Sequence, residues 1–148
     1  MIDNQNQFKM PAVLSLMLVL MLSLTACSST EAAEEIREIQ WQWVGLVETE
    51  PAAQSVVPNP ESFTLFLDAE GSMSLQVDCN SASGSYLLDG YSLSIEVGMS
   101  TLAYCGDDSL DQAFLTMLST VESYALENGT LFLNLADGSR MLFEKDAN

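Results

Sequence analysis

Residues 63–80 read FTLFLDAEGSMSLQVDCN, and this stretch decides the fold. Phe63, Leu65 and Leu67 alternate with Thr64 and Asp68, Glu70-Gly71 makes a turn, and Met73, Leu75, Val77 and Cys79 then alternate with Ser74, Gln76, Asp78 and Asn80. A strict period of two points one face of a strand at a core and the other at water, the pattern of antiparallel sheet. Two such runs joined by a tight turn predict a hairpin.

The same grammar extends in both directions. Upstream, Ile39 to Glu48 carries Trp41 and Trp43 on one face, and Pro51, Pro58 and Pro60 mark a loop, since proline cannot donate to a strand ladder. Downstream, Gly84–Leu88 and Tyr91–Val97 flank Asp89-Gly90, residues that tolerate the positive φ of a type I′ turn. Asn128-Gly129 joins Ser123–Leu126 to Leu131–Leu135, and Asp137-Gly138 leads into Arg140–Glu144, with Leu131, Leu133, Leu135, Met141 and Phe143 expected inward. One helix interrupts the strands. Leu110, Ala113, Phe114, Met117, Leu118 and Val121 form a single apolar stripe, with Asp108 or Ser109 as cap, Asp111 in the first turn and an end near Ser119 or Thr120. The expected fold is mainly β, or α+β by strict count: an antiparallel meander of seven or eight strands forming a curled sheet or small barrel with one helix packed over it.

Composition narrows the chemistry. The 148 residues include 21 Asp and Glu, four Lys and Arg, no His and three Cys, for a formal charge of −17. That sign repels phosphate backbones, so no nucleic-acid partner is expected. Without histidine there is no Ser-His-Asp or Cys-His pair and no imidazole ligand, which argues against an enzyme and against a metal or other cofactor.

Pro11 to Leu24 is an uncharged run preceded by Lys9 and followed by small residues, as in a secretory signal peptide, and it is short of the roughly 20 apolar residues a membrane-spanning helix needs. Leu24-Thr25-Ala26-Cys27 resembles the lipobox of bacterial lipoproteins, which implies cleavage before Cys27 and acylation of that residue. Several acyl chains on one residue anchor stably, at about 0.8 kcal/mol per buried methylene. Ser28, rather than Asp, follows the cysteine, and the resemblance then implies sorting to the outer membrane, facing the periplasm. Ser28 to Glu38 is small, polar and acidic and reads as a tether. The expected organisation is a signal peptide over residues 1–26, an acylated cysteine and acidic tether over 27–38, and a β domain over 39–148.

Several short motifs in that domain resemble the META/HslJ domains of bacterial envelope proteins. They are Cys79-Asn80 followed by Gly84-Ser85-Tyr86, Thr101 and Cys105 in a T-x-x-x-C arrangement, Phe114 and Leu118 on the helix, and Gly129-Thr130-Leu131-Phe132-Leu133. An opening Trp before a proline-bearing loop and the closing Asp137-Gly138 to Phe143 complete the match over nearly all of residues 41–144. Asp78 stands where the family often has glycine. The resemblance implies a role in stress tolerance or envelope integrity rather than a defined reaction, and Asn80, Gly84, Tyr86 and Thr101 are its motif residues.

With Cys27 consumed by lipid, Cys79 and Cys105 remain as a pair in an oxidising compartment. A structural disulfide would close 25 intervening residues and stabilise by roughly 3–4 kcal/mol. Buried free thiols and a redox-active pair are the alternatives, the last lacking a C-x-x-C spacing or nearby cations. Asp107, Asp108 and Asp111 offer hard oxygen ligands for calcium, but not in an EF-hand pattern, and helix capping accounts for them more simply. No chosen pair of carboxylates is placed for glycoside hydrolysis. Tyr86, Tyr91 and Tyr104 are either a cluster or separate packing residues. The stretch Ser81-Ala82-Ser83-Gly84-x-Tyr86 also looks like the loop of lysozyme-inhibitor lipoproteins. The competing reading is therefore a binding module, either an inhibitor of a cationic protein or a carrier whose barrel mouth takes a small apolar ligand, with a protein partner in the envelope.

Overall fold

The computed structural model describes residues 35–147. The expected signal peptide, Cys27 and most of the expected tether lie outside the described residues. Nine strands and one helix follow in order: β1 (Gln40–Thr49), β2 (Ala52–Val56), β3 (Phe63–Leu67), β4 (Ser72–Val77), β5 (Asn80–Asp89), β6 (Ser92–Ser100), α1 (Asp111–Leu118), β7 (Val121–Glu127), β8 (Thr130–Leu135) and β9 (Arg140–Lys145).

All strands join one antiparallel sheet in the order β2-β1-β3-β4-β5-β6-β7-β8-β9, and β9 returns to pair with β1. The result is a curled, ring-like sheet rather than a barrel, because β6 and β7 meet in register only at Ser92 and Ser123. β1 can serve three neighbours because its first residues pair with β3 and its last with β2 on one edge, while β9 runs along the other. The deciding stretch folds as expected: Phe63 to Leu67 pairs with Met73 to Val77, and Phe63, Leu65, Leu67, Met73, Leu75 and Val77 are buried.

Four details depart from the expectations. The region of Pro51, Pro58 and Pro60 contains β2, whose five residues are all exposed and so show no inward alternation. Cys79 does not continue the inward row of β4. The chain reverses at Asp78-Cys79, leaving Cys79 exposed and starting β5 at Asn80. In the β5–β6 hairpin, Asp89 pairs with Ser92, so the turn residues are Gly90 and Tyr91, and only Gly90 takes positive φ (+57°). A type II′ turn matches that pattern better than the expected I′. By contrast Asn128 (+54°) and Gly129 (+88°) both adopt the left-handed region between Glu127 and Thr130, as type I′ requires. Finally, the packed domain begins before Ile39. Ile36 is fully buried, its carbonyl accepts the Trp41 indole N–H (2.9 Å), the backbone N–H of Glu38 donates to Leu67 O (2.9 Å), and the Glu38 carboxylate accepts the N–H of Ala69 (2.8 Å).

The inside of the ring is filled by side chains. Phe114 of α1 stacks on Trp43 (5.2 Å between centroids) and meets Phe63 (5.5 Å) and Phe143 (6.2 Å), so the helix seals the mouth where β3 begins. Ile36 lies at the opposite mouth, where β3 ends beside Glu38. The helix is shorter than its stripe suggests: Leu110 is the N-cap residue, Ala113 is exposed, and Val121 already opens β7. Ser109 contributes to the helix start, its hydroxyl accepting the N–H of Asp111 (3.2 Å) and donating to the Asp78 carboxylate (2.6 Å).

Candidate functional site

The helix-sealed mouth carries the polar chemistry of the molecule, and Asn80 is its centre. This residue opens β5 directly after the turn and is only 3% exposed. Its Oδ1 accepts the Thr101 hydroxyl (2.8 Å) and the Ala103 N–H (2.7 Å), while its Nδ2 donates to Ala103 O (2.9 Å) and faces Cys105 Sγ (3.2 Å). The amide thus uses all of its hydrogen-bonding capacity, as burial demands. Thr101 closes a second ring of bonds with β5: its hydroxyl accepts the N–H of Ser81 (3.1 Å) and its own N–H donates to Ser81 O (3.0 Å). A disulfide joins Cys79 to Cys105, with Cα atoms 5.6 Å apart. Asp78 takes φ +56°, so the backbone enters the left-handed region that glycine favours even though aspartate stands there.

The structure pairs Cys79 with Cys105, as one of the alternatives read from the sequence has it, and gives Asn80 and Thr101 a place beside that pair. Cys79, Asn80, Thr101 and Cys105 come together and pin the segment from Thr101 to Ser109 against the β4–β5 hairpin. Gly84 and Tyr86 lie farther along β5 and do separate work. At Gly84 an added Cβ would fall 2.1 Å from Glu96 O and 2.7 Å from the Met73 terminal methyl, so no other residue fits where β5 is bulged against β6. The Tyr86 hydroxyl donates to Asp68 O at the Ile36 mouth, and Arg37 lies over its ring, 5.6 Å from the centroid. Burial pushes the phenol above its ordinary pKa of 10, opposed by the neighbouring guanidinium. Ser81 to Gly84 belongs to β5 and registers with β4, so these residues are not a projecting loop. The three tyrosines do not cluster either. Tyr86 is buried, Tyr91 packs near Tyr124 (5.7 Å) and Tyr104 is exposed, its hydroxyl donating to Asp107. That hydrogen bond raises the Tyr104 pKa.

The pinned segment is exposed almost throughout and displays apolar side chains: Leu102, which sequence reasoning passed over, is 89% exposed and Tyr104 79%, with Met99 at 83% just before them. The available signal was the run Leu102-Ala103-Tyr104, apolar yet outside any strand pattern. Beside it lies a cleft of about 250 Å³ whose lining includes Val77, Asn80, Leu102, Tyr104, Asp111 and Leu115. A second cleft of about 320 Å³, on the other side of the segment, is lined by Asn59, Asp78, Cys105, Asp107, Asp108 and Ser109. Among the described residues no group of three or more His, Cys, Asp or Glu is arranged to hold a metal ion.

The domain has counterparts among known proteins. A family model for the META domain matches residues 34–148. The chain belongs to the META domain family. The META match starts within the segment read as a tether, in line with the burial of Ile36. Two solved structures share the fold. One is the solution structure of a protein from Burkholderia xenovorans (TM-score 0.62, 21% identity, covering 80% of this chain and 88% of that one). The other is a crystal structure of a DUF4847 family protein from Bacteroides vulgatus (TM-score 0.60, 12% identity, 78% and 97%). Among curated proteins, none matches this sequence closely enough to count as a relative.

Proposed function

We propose that this META-domain chain is a non-enzymatic lipoprotein of the bacterial cell envelope, anchored through acyl chains on Cys27, facing the periplasm from the outer membrane and serving envelope integrity under stress. The observation that carries this reading is the Cys79–Cys105 disulfide, since such a bridge persists in an oxidising compartment and is rare in a reducing one. It supports export independently of the Leu24–Cys27 tetrad. The motif residues support the absence of catalysis in the proposal, because Asn80, Thr101, Gly84 and Tyr86 are each committed to holding the fold.

The test is incorporation of labelled palmitate into the full chain in a double-membraned bacterium, followed by separation of the two membranes on a density gradient. Label in the wild type, none in Cys27→Ala, and co-sedimentation with the outer membrane are expected. An unlabelled wild-type chain in the soluble fraction would overturn the anchor. The binding-module reading is favoured over a passive one by a specific observation: the interior is occupied by Trp41, Trp43, Phe114 and Phe143, while a cleft opens on the surface at Leu102 and Tyr104. Binding at a surface, rather than in a lumen as a carrier needs, follows from that filling.

A further inference from the structure

The geometry points to the segment Met99–Asp108 and its flanking cleft as a docking surface for a cationic protein segment that carries an apolar residue between lysines or arginines. Three observations carry it. First, the segment is exposed but held: the disulfide, the Asn80 amide and the Tyr104–Asp107 bond fix a backbone that beyond Ser100 lies outside any strand. A surface held in one conformation loses little entropy on binding. Second, Leu102 and Tyr104 are turned to water and line a cleft together with Val77 and Leu115, and Met99 is exposed just before them in the chain. Clustered exposed apolar side chains with a polar rim mark an interaction site, and aromatic and methionine side chains are enriched in such sites.

Third, the rim commits the surface to a partner of one charge. Asp107, Asp108, Asp111 and Asp78 line the two clefts, and no cation among the described residues does. The cations among the described residues are engaged elsewhere: Arg37 lies over Tyr86, Arg140 pairs with Glu127 (2.8 Å), and Lys145 lies over Trp41. A second copy of this chain is repelled by the same field, and so is an anionic bilayer. A basic partner is attracted, and its apolar residue finds Leu102 and Tyr104.

The inference builds on the non-enzymatic reading above but not on the acyl anchor, so the palmitate experiment and this one fail separately. The full chain in detergent is titrated calorimetrically with a short lysine-rich peptide bearing a central Leu-Trp pair, and with the same peptide carrying serines there. Tighter binding of the first peptide, persisting at high salt, is expected. Leu102→Ser should weaken it by about tenfold, with the thermal midpoint unchanged because that side chain is exposed and makes none of the bonds that hold the segment. Asp107→Asn with Asp108→Asn should lower affinity at low salt, whereas Glu48→Gln with Glu50→Gln on the β1–β2 hairpin should not. Equal binding of both peptides, or equal losses from the remote pair, would reduce the effect to diffuse charge and overturn the proposal. So would Leu102-dependent dimerisation, or partition onto neutral phosphatidylcholine vesicles in place of peptide binding.

Discussion

The helix α1 reaches one mouth of the ring at the end of the connection from Ser100 to Val121, whereas the other mouth is closed by Ile36 and Glu38, residues immediately preceding β1. Both closures bury apolar side chains, Phe114 and Leu118 at the first and Ile36 at the second. They differ in what positions the plug. A long connection carries a larger closure entropy than a short one, and the Cys79–Cys105 bridge and the Asn80 amide shorten it by tying its first residues to the β4–β5 hairpin. Among the described residues the Ile36 closure has no covalent tie; Trp41 bonds Ile36 O nearby in the chain, and Glu38 bonds Leu67 and Ala69 at the end of β3. Asn80 and Thr101, with the bridge, thus mark the end of the molecule where chain entropy was hardest to overcome, while Tyr86 stands at the other.

The largest effect that tests this contrast is Phe114→Ala. Removing a ring that touches Trp43, Phe63 and Phe143 should cost about 3–5 kcal/mol in urea unfolding. Replacing Cys79 and Cys105 together by serine should cost about 3–4 kcal/mol if the bridge works by restricting the unfolded chain. Asn80→Ala leaves the Ala103 N–H and carbonyl and the Thr101 hydroxyl without their partner, at about 1–3 kcal/mol. Its cost should shrink in the Cys79→Ser/Cys105→Ser background, because both devices restrain one segment. Full additivity would break the picture of a shared staple.

Much of this architecture was legible because it is written in alternation. Leu65, Leu75, Leu133 and Phe143 are inward for the reason that every second residue in a half-buried strand must be. What escaped notice were elements without a buried face. β2 is exposed at all five positions, so no period announces it, and only its ladder to Gly45–Thr49 makes it a strand. Gly45 is part of that ladder, since a Cβ there would sit 2.8 Å from Ser55 O. Ile36 was hidden for the opposite reason: one apolar residue among glutamates reads as tether until the fold supplies its pocket. At the candidate site, counting left Cys79 and Cys105 as the pair for a bridge, with free thiols as an alternative, but the exposure of Leu102 and Tyr104 depends on a backbone path that no local pattern encodes.

The smallest expected effect separates the two mouths by pH. Tyr86, whose hydroxyl bonds Asp68 O beneath Arg37, stands at the Ile36 mouth, and burial raises its pKa in the folded state. Tyr124 is raised by burial in the same direction. A phenol whose folded pKa exceeds the unfolded value near 10 binds its proton more tightly when folded. Its contribution is fully present below pH 10 and is lost as pH rises above 10 through the folded pKa. Stability should therefore fall above pH 10, by at most about 1.4 kcal/mol per pH unit for each tyrosine, and Tyr86→Phe should flatten part of that slope. If the mouths are independent, removing Cys79 and Cys105 lowers stability at every pH but leaves the Tyr86 part of the alkaline slope unchanged, since the bridge and Tyr86 stand at opposite mouths. A slope that steepens when the bridge is removed would mean that the two closures open together, and that the staple at one end also holds the other.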